Sequence, residues 1–360
     1  MSVAGKALPP GSVIGILGGG QLGRMLALAA GQLGLKCHIF APEADSPAFH
    51  VAAAHTVAGY RDEAALAAFA ASVDAVTYEF ENVPVEAVRF LEARLPVRPG
   101  AKALEVAQDR LKEKALARQL GAATAEFAPV NSLTDLQAAV AAIGTPAILK
   151  TTRFGYDGKG QARINGAADV EAAWAIMKGQ PSILESFVRF EREVSVIAAR
   201  GLDGRMAAFE VTENVHRNHV LHTSTVPSQV SQELAAEAVF IAQRFLETLD
   251  YVGVMGVEFF VGEDVIYVNE IAPRVHNSGH WTQDACSVSQ FEQHIRAVAG
   301  WPLGATLRHS DVVMTNLLGD DILAWETLVR EPGLALHHYG KTEARPGRKM
   351  GHVNRLRSRG

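Results

Sequence analysis

The 360-residue sequence predicts a mixed fold of α/β and α+β parts, with an open parallel sheet first and antiparallel strands later. The apolar run Val13–Leu17 leads through three glycines into a helical pattern, and Lys36–Phe40 is the next strand, so the chain begins as a β–α–β unit. From Glu126 onward, short strands and helices alternate. Two apolar strands, Val252–Phe260 and Val265–Ile271, are then joined by a turn, which predicts an antiparallel pair.

The first domain is predicted to span residues 13–102, after a disordered tail at residues 1–12. Its first helix runs from Gln21 to about Leu33 and ends at Gly34, a residue that suits the left-handed position after a helix. The elements expected after the first β–α–β unit are helix Ala64–Ala71, strand Ala75–Phe80, helix Val85–Leu95 and a short strand at Val97–Gly100.

Three further units are predicted at residues 103–190, 191–310 and 311–360. Ala103–Leu120 is amphipathic and is expected to form one long helix that ends at Gly121, and an apolar stripe predicts a second long helix at Gln232–Leu249. The other elements expected here are helices Thr134–Ile143 and Asp169–Lys178, with strands Ala147–Lys150, Ile183–Glu185, Glu193–Ala199 and Met206–Val211. Strand-like pieces follow from Val312 to the end.

Composition excludes several classes of protein. The chain is 48% hydrophobic and 20% charged with a net charge of −5, so it is expected to be globular and to have no nucleic-acid partner. No apolar run reaches the roughly 18 residues of a membrane span, and residues 1–12 lack the apolar stretch of a signal peptide. Cys37 and Cys286 have no metal-ligand spacing, which suits a reducing cytoplasm.

The spacing Gly18-x-Gly20-x-x-Gly23 fits a dinucleotide-binding turn, because the helix that follows presents its N-terminal amides to an anion. The second strand, however, ends Phe40-Ala41-Pro42 and lacks the terminal acid that holds the ribose of NAD. Three interpretations stay open: a site for NAD, a site for another phosphate-bearing ligand, or a plain tight turn.

A more specific pattern follows the strand that ends at Lys150. The loop Phe154–Gln161 contains three glycines, so its backbone amides can lie on phosphates while the lysine supplies positive charge. It is not a Walker loop, because the Gly-Lys-Ser/Thr ending is absent. The alternative is a flexible hairpin with solvated charges.

Glu258 and Glu270 stand within the two late apolar strands, where an acid is costly unless it is paired or bound to a metal. With Asn269 they offer hard oxygen ligands for Mg²⁺. The alternative is that each acid pairs with a buried arginine, for which Arg274 is the obvious candidate. A regular four-residue hairpin would put the two glutamates on opposite faces, so the metal hypothesis requires an odd-length loop or a β-bulge.

Two polar segments remain. Arg274–Trp281 directly follows a predicted buried strand and carries Arg274, His276, Asn277 and Ser278, which is typical of a substrate-binding loop. Near the end, Lys341 and the cluster Arg345–Lys349 could clamp a phosphomonoester, although such a cluster alone is more often a solvated surface.

In this order the motifs resemble the ATP-grasp superfamily and, within it, the N5-carboxyaminoimidazole ribonucleotide synthetase family. The resemblance extends from about Val13 to His352. It implies a pre-ATP-grasp domain, a lid, a large domain and a short barrel-like tail. The strings that carry it are Gly19–Met25, Thr77–Glu81, Gly155–Gln161, Asn269–Trp281 and Arg345–His352.

The resemblance also implies roles for individual residues. Glu258 and Glu270 match magnesium ligands. The implied ATP contacts are Arg110, Lys150, Gly155, Gly158, Gly160, Gln161, Glu185, Ser186, Phe187, Val188, Glu193, His216 and Asn269. The implied contacts of the ribonucleotide substrate are Gln21, Leu22, Glu79, Asn277, Ser278, Lys341, Arg348 and Lys349. The residues implied to act on bicarbonate and the amine are Tyr156, Asp157, Lys159, Arg274 and His276.

The implied reaction is carboxylation of the amine of 5-aminoimidazole ribonucleotide, with ATP, Mg²⁺ and bicarbonate, through carboxyphosphate. A cytoplasmic homodimer without membrane attachment is expected. Three rivals stay open: a formate-using glycinamide ribonucleotide transformylase of the same architecture, an NAD-dependent dehydrogenase and a silent nucleotide-binding regulator. The dehydrogenase leaves Lys150, Glu258 and Glu270 without a role.

Overall fold

The structure is a computed structural model that describes residues 7–153, 155 and 160–359. The first domain alternates strands and helices, as expected. Its elements are β1 (Val13–Leu17), α1 (Gln21–Gln32), β2 (Lys36–Ala41), β3 (Ala54–Val57), α2 (Glu63–Ala70), β4 (Ala75–Tyr78) and α3 (Val85–Glu92). The strands form a parallel sheet in the order β3-β2-β1-β4, which confirms the predicted β–α–β start. The sequence pattern missed β3, a largely exposed edge strand without an apolar run.

The predicted single helix at Ala103–Leu120 is wrong. The chain forms two helices there, α4 (Ala101–Ala107) and α5 (Arg110–Gln119). The break has a local cause, because the Asp109 carboxylate accepts hydrogen bonds from the amides of Leu111 (3.0 Å) and Lys112 (3.3 Å). Such an N-cap begins a new helix and interrupts the preceding one.

A small α+β unit, the lid, follows at residues 127–186. Its four strands form an antiparallel sheet, and the second of them in sequence, which ends at Thr151, is paired on both sides. Its elements are β5 (Phe127–Val130), α6 (Leu133–Ile143), β6 (Ala147–Thr151), β7 (Gln161–Ile164), α7 (Val170–Met177) and β8 (Ser182–Ser186), with the sheet order β5-β8-β6-β7.

The rest of the described chain is built on one nine-stranded sheet. The C-terminal strands continue this sheet, since β12 pairs antiparallel with β15. The elements are β9 (Arg192–Arg200), β10 (Met206–Ala208), β11 (Thr212–Arg217), β12 (Val220–Val226), α8 (Gln232–Thr248), β13 (Gly253–Val261), β14 (Ile266–Ala272), α9 (Thr282–Ala285), α10 (Gln290–Ala299), β15 (Ser310–Leu318), α11 (Trp325–Leu328), β16 (Leu334–His338) and β17 (Lys349–Ser358). The order is β14-β13-β9-β11-β12-β15-β17-β16, with β10 beside β9.

A β-bulge interrupts the pairing of β13 with β14. Glu258 lies opposite Glu270, but the next pair is Phe259 with Val268, so Asn269 is the extra residue. A bulge shifts the alternation of side chains by one position. The structural condition that the sequence imposed on the two glutamates is therefore met.

Residues 7–12 do not form a loose tail. The amide of Leu8 donates to the carbonyl of Ala299 (2.8 Å), and the Trp301 indole donates to the carbonyl of Leu8 (2.7 Å). The expectation of disorder is thus wrong for residues 7–12, because the two backbone groups of Leu8 bond to Ala299 at the end of α10 and to Trp301 just after it, and the Leu8 side chain packs against the core. Among the described residues, no helix has the length and apolarity needed to cross a membrane.

Candidate active site

A cavity of about 750 Å³ lies where the first domain, the lid and the large sheet meet. Residues from all three parts line it, although they are far apart in the sequence. The predicted site residues that line it are Gln21, Leu22, Glu79, Arg110, Lys150, Gly155, Gly160, Gln161, Glu185, Ser186, Phe187, Val188, Glu193, His216, Glu258, Asn269, Glu270, Arg274, His276, Asn277 and Lys349. Phe154, Tyr156, Asp157, Gly158 and Lys159 lie outside the described residues.

Glu258 and Glu270 face the same cavity from adjacent strands. Glu270 forms an ion pair with Arg110 (3.0 Å), so the arginine partner is Arg110 and not Arg274. Burial and then the negative charge of Glu270 raise the pKa of Glu258 to about 7. Burial opposes ionisation of Glu270 as well, but Arg110 lowers its pKa. Two carboxylates that lie opposite each other on adjacent strands repel each other and favour a cation between them.

The donor set suits Mg²⁺ held together with a polyphosphate. Mg²⁺ usually takes one or two carboxylates and completes its coordination with phosphate oxygens and water. Glu258, Glu270 and the side chain of Asn269 supply such oxygens at the cavity wall. Within the described residues, no group of three or more His, Cys, Asp and Glu side chains forms a complete metal cage. The residues present therefore fit a magnesium ion, which Glu258, Glu270 and Asn269 would hold together with a phosphate-bearing ligand.

The first turns of α5 clamp the bulge. The Lys114 ammonium donates to the carbonyls of Val268 (3.0 Å) and Asn269 (2.8 Å), and the Glu113 carboxylate accepts from the amide of Ile271. Both side chains are buried. Burial lowers the pKa of Lys114, and burial followed by the charge of Glu270 raises the pKa of Glu113 to about 8.

The sequence interpretation missed Glu113 and Lys114. A signal was available: positions 110, 113, 114 and 117 have the spacing of one buried helix stripe, and charged residues stand at three of them. Buried charges need partners, which these residues find on β14.

Lys150 of the lid and Arg110 of α5 line the cavity. The Lys150 ammonium lies 2.7 Å from Glu185 Oε2, and the Lys114 ammonium lies 3.8 Å from Glu185 Oε1. Burial opposes ionisation of Glu185, but Lys150 and Lys114 hold its pKa at about 2. Lys150 and Arg110 thus place two cations at the predicted phosphate region, while Lys114 is buried and does not line the cavity. His216 and Glu193 lie further along, with Nδ1 and Oε2 3.0 Å apart.

Arg274 and His276 also reach the cavity, through contacts that the sequence did not indicate. Arg274 forms an ion pair with Glu81, a cavity residue that was not predicted. Burial opposes ionisation of Glu81, but Arg274 lowers its pKa to about 2. Burial, with Arg274 next, lowers the pKa of His276 to about 3, so its imidazole is neutral. Its Nε2 lies 3.3 Å from Glu258 Oε1.

Asn277 and Ser278 are neighbours in the sequence but differ in their hydrogen bonding and in their access to the cavity. The amide nitrogen and oxygen of Asn277 are buried at the cavity and, among the described residues, have no hydrogen-bond partner. This fits a polar ligand at that position. Ser278 is fully buried behind the wall and bonds to Ser195 and His276. The structure thus does not support direct contact between Ser278 and a substrate.

The predicted phosphate clamp near the C-terminus reaches the cavity only through Lys349. Lys341 donates to the carbonyl of Lys349 (2.6 Å), and Arg348 donates to the carbonyl of Glu343 (2.8 Å). Burial and then the charge of Arg348 lower the pKa of Lys341 to about 8. Lys341 and Arg348 do not line the cavity, and their contact with a phosphate remains a prediction.

The glycine turn of the first domain carries an anion of its own. The Glu79 carboxylate accepts hydrogen bonds from the amides of Gly20 and Gly23, at the start of α1. A Cβ atom at Gly20 would lie 2.6 Å from Glu79 Oε1, so glycine is required for this approach. Glu79 occupies the position where a dinucleotide pyrophosphate would bind. The NAD interpretation is therefore not supported.

Family comparisons agree with the three-part architecture. A ribonucleotide synthetase preATP-grasp domain matches residues 12–108, and an ATP-grasp domain matches residues 115–291. A phosphoribosylaminoimidazole carboxylase C-terminal domain matches residues 312–359.

Individual relatives match over almost the whole chain. The N5-carboxyaminoimidazole ribonucleotide synthase of Brucella melitensis is 53% identical over 356 residues, which is 98% of each chain. A solved ADP complex of an N5-carboxyaminoimidazole ribonucleotide synthetase has a TM-score of 0.95 and 44% identity, covering 99% of this chain and 95% of that one. The Aspergillus clavatus enzyme, solved with ADP and 5-aminoimidazole ribonucleotide, has a TM-score of 0.91 and 30% identity, covering 97% and 94%. The chain belongs to the N5-carboxyaminoimidazole ribonucleotide synthase family of ATP-grasp enzymes.

Proposed function

We propose that the protein carboxylates the exocyclic amine of 5-aminoimidazole ribonucleotide, using ATP and bicarbonate, and releases ADP and phosphate. One observation carries the proposal: a single cavity joins the lysine and arginine side of the lid to the paired glutamates and to the glycine turn of the first domain. Such a cavity can hold a nucleoside triphosphate and a second ribonucleotide side by side. The family to which the chain belongs supports this choice of reaction.

The reaction needs charge neutralisation more than covalent chemistry. Bicarbonate oxygen attacks the γ-phosphorus of ATP, the bond to ADP breaks, and carboxyphosphate forms; it then splits into CO₂ and phosphate, and the substrate amine takes up CO₂ as a carbamate. Lys150 and Arg110 are proposed to stabilise the negative charge on the transferred phosphoryl group. Arg274 is proposed to hold the bicarbonate, since a guanidinium matches a planar carboxylate.

Magnesium is proposed at Glu258 and Glu270, with Asn269 beside them. When bound, the ion would neutralise charge on the phosphate oxygens. The Arg110–Glu270 ion pair keeps one acid ionised and ready to bind a cation. The charged pocket would also shield carboxyphosphate from water, which would otherwise waste it. Tyr156, Asp157 and Lys159 lie outside the described residues, and their action on bicarbonate and the amine is proposed on the family resemblance alone.

At the other end of the cavity, Gln21 and Leu22 are proposed to support the ribonucleotide, with Asn277 as a polar contact. The Asn277 amide supports this role because both of its polar atoms lack a partner among the described residues. Glu79 is already bonded to two backbone amides, so its proposed contact with the ribose would use a remaining lone pair. Lys341, Arg348 and Lys349 are proposed to hold the 5′-phosphate.

Phosphate release from ATP and Mg²⁺ tests the proposal. Release should rise when bicarbonate and 5-aminoimidazole ribonucleotide are both present, and the carbamate product should appear in equal amount. Glycinamide ribonucleotide with formate is the matched control for the rival transformylase. Stimulation by that pair, and none by 5-aminoimidazole ribonucleotide, would overturn the assignment.

A cytoplasmic homodimer is proposed on the family resemblance alone. Light scattering of the purified protein measures the mass in solution, and a monomeric mass over the working concentration range would contradict the dimer.

A further inference from the structure

A buried chain of polar side chains begins at His276 and crosses the large sheet. Its members after His276 are Ser278, Ser195, Asn214 and Ser224, which come from four separate segments. The four are at most 5% exposed, so water does not compete for their hydrogen bonds. The links measure 2.8 Å, 2.6 Å, 2.9 Å and 2.7 Å in order from His276. The last three members do not line the cavity.

The direction of the chain follows from what each group can donate. The Asn214 amide nitrogen can only donate, and it bonds to Ser195 Oγ, while the Asn214 oxygen accepts from Ser224. Ser195 has one hydroxyl proton, which it donates to Ser278 Oγ. The hydroxyl of Ser278, having accepted, then donates its own proton to His276 Nδ1.

A second donor points to the same nitrogen. The backbone amide of Ser278 lies 3.3 Å from His276 Nδ1. A backbone N–H cannot accept a hydrogen bond, so a proton on Nδ1 would oppose this contact. Two donors therefore converge on Nδ1. The backbone amide of Ser278 can only donate, and the Ser278 hydroxyl donates because it already accepts from Ser195.

We propose that the Ser224–Asn214–Ser195–Ser278 chain fixes His276 as the Nε2–H tautomer, with Ser195, Asn214 and Ser224 acting as positioning residues. The proton then lies on the nitrogen 3.3 Å from Glu258 Oε1. His276 presents a donor to that carboxylate and keeps no lone pair at Nε2. It orients Glu258 and does not take the proton from the amine at this nitrogen.

The consequence for catalysis rests on the proposed function, but the tautomer does not. Partners that orient a metal-binding carboxylate are worth about 10- to 100-fold in activity or metal affinity when removed. A chain of fixed direction achieves such orientation without a further charge in the cavity.

Nitrogen-15 NMR of the histidine-labelled full-length protein measures the tautomer directly, without nucleotide or metal. His276 signals are assigned by their loss in His276→Gln. We expect Nδ1 to show the shift of an unprotonated ring nitrogen and Nε2 that of a protonated one. The reverse pattern, or an equal mixture in the unmodified protein, would overturn the proposal.

Ser195→Ala breaks the chain one step behind Ser278. The Ser278 hydroxyl can then rotate, so we expect the His276 shifts to move toward a tautomer mixture and turnover to fall about tenfold. Ser182→Ala is the matched control, because Ser182 is equally buried and donates to the carbonyl of Gln180 in the lid. An unchanged tautomer in folded Ser195→Ala would exclude the chain as its cause.

If Ser195→Ala does not fold, Ser224→Ala replaces it. That variant deletes the far end of the chain and frees the Asn214 amide to turn over. A tautomer mixture supports the chain, and an unchanged tautomer contradicts it. Absence of carboxylation by the unmodified protein would defeat the proposed function while leaving the NMR result intact.

Discussion

Two regions of the cavity have the features of an anion site, and they differ in what fills them. At the glycine turn, the amides of Gly20 and Gly23 bind the carboxylate of Glu79, which belongs to the same chain. On the lid side, Lys150 and Arg110 line the cavity and form ion pairs with two cavity acids, Glu185 and Glu270. Glycine spacing therefore indicates room for an anion, but it does not show whether that anion is a ligand or an acidic side chain of the protein. A ligand can bind where the protein's own charges leave positive groups facing the cavity.

Glu270→Ala should have the largest effect. The variant removes one proposed magnesium ligand and leaves the Arg110 guanidinium without its partner, so turnover should fall by about 10²–10³-fold or more. Phosphate release measures turnover, and circular dichroism checks that the protein stays folded. Preserved ATPase activity in the variant would remove Glu270 from the metal site.

Lys114→Met tests whether α5 keeps Glu258 and Glu270 aligned across the β-bulge. Two carbonyls at the bulge lose their donor, so the alignment of Glu258 with Glu270 should loosen. We expect the half-saturating Mg²⁺ concentration to rise about tenfold. Lys112→Met is the control, since Lys112 is an exposed lysine on the same helix. Equal magnesium dependence in the two variants would show that the clamp is not required.

Glu79→Ala tests the anion site at the glycine turn, which the Glu79 carboxylate occupies. Without this carboxylate the first amides of α1 lose their acceptor, and the free energy of unfolding should fall by about 1–2 kcal/mol. Sulfate should then stabilise the variant more than the unmodified protein, because the vacated helix N-terminus can bind it. Thermal unfolding in sulfate and chloride at equal ionic strength measures the difference. Glu86→Ala, at an exposed site, should respond like the unmodified protein.

The smallest expected effect concerns pH. Glu81 has its pKa lowered from 4.5 to about 2 in the folded protein, where Arg274 outweighs burial. Its ionisation therefore stabilises the fold above about pH 4.5, and that contribution is lost as the pH falls toward 2. Urea unfolding should show Glu81→Gln less stable than the unmodified protein at neutral pH, with the gap closing over this window. A gap that widens on acidification would contradict the sign.

Much of the candidate site could be predicted because it lies in continuous motifs. The lysine at a strand end, the acids within apolar strands and the polar loop from Arg274 each violate a local pattern, and each reaches the cavity. Glu81, Glu113 and Lys114 were missed because their partners come from distant segments. Glu81, for example, is 193 residues from Arg274.

By itself, the sequence determined the parallel start of the fold, most of its helices and strands, and the residue types able to bind phosphate and a divalent cation. Those features follow from local periodicity and from the cost of placing polar groups in apolar elements. Only the tertiary structure decided the bulge at Asn269, the arginine that pairs with Glu270, and the binding of the Glu79 carboxylate at the glycine turn. Each depends on strand register or on contacts between segments 56 to 160 residues apart, which no local pattern encodes.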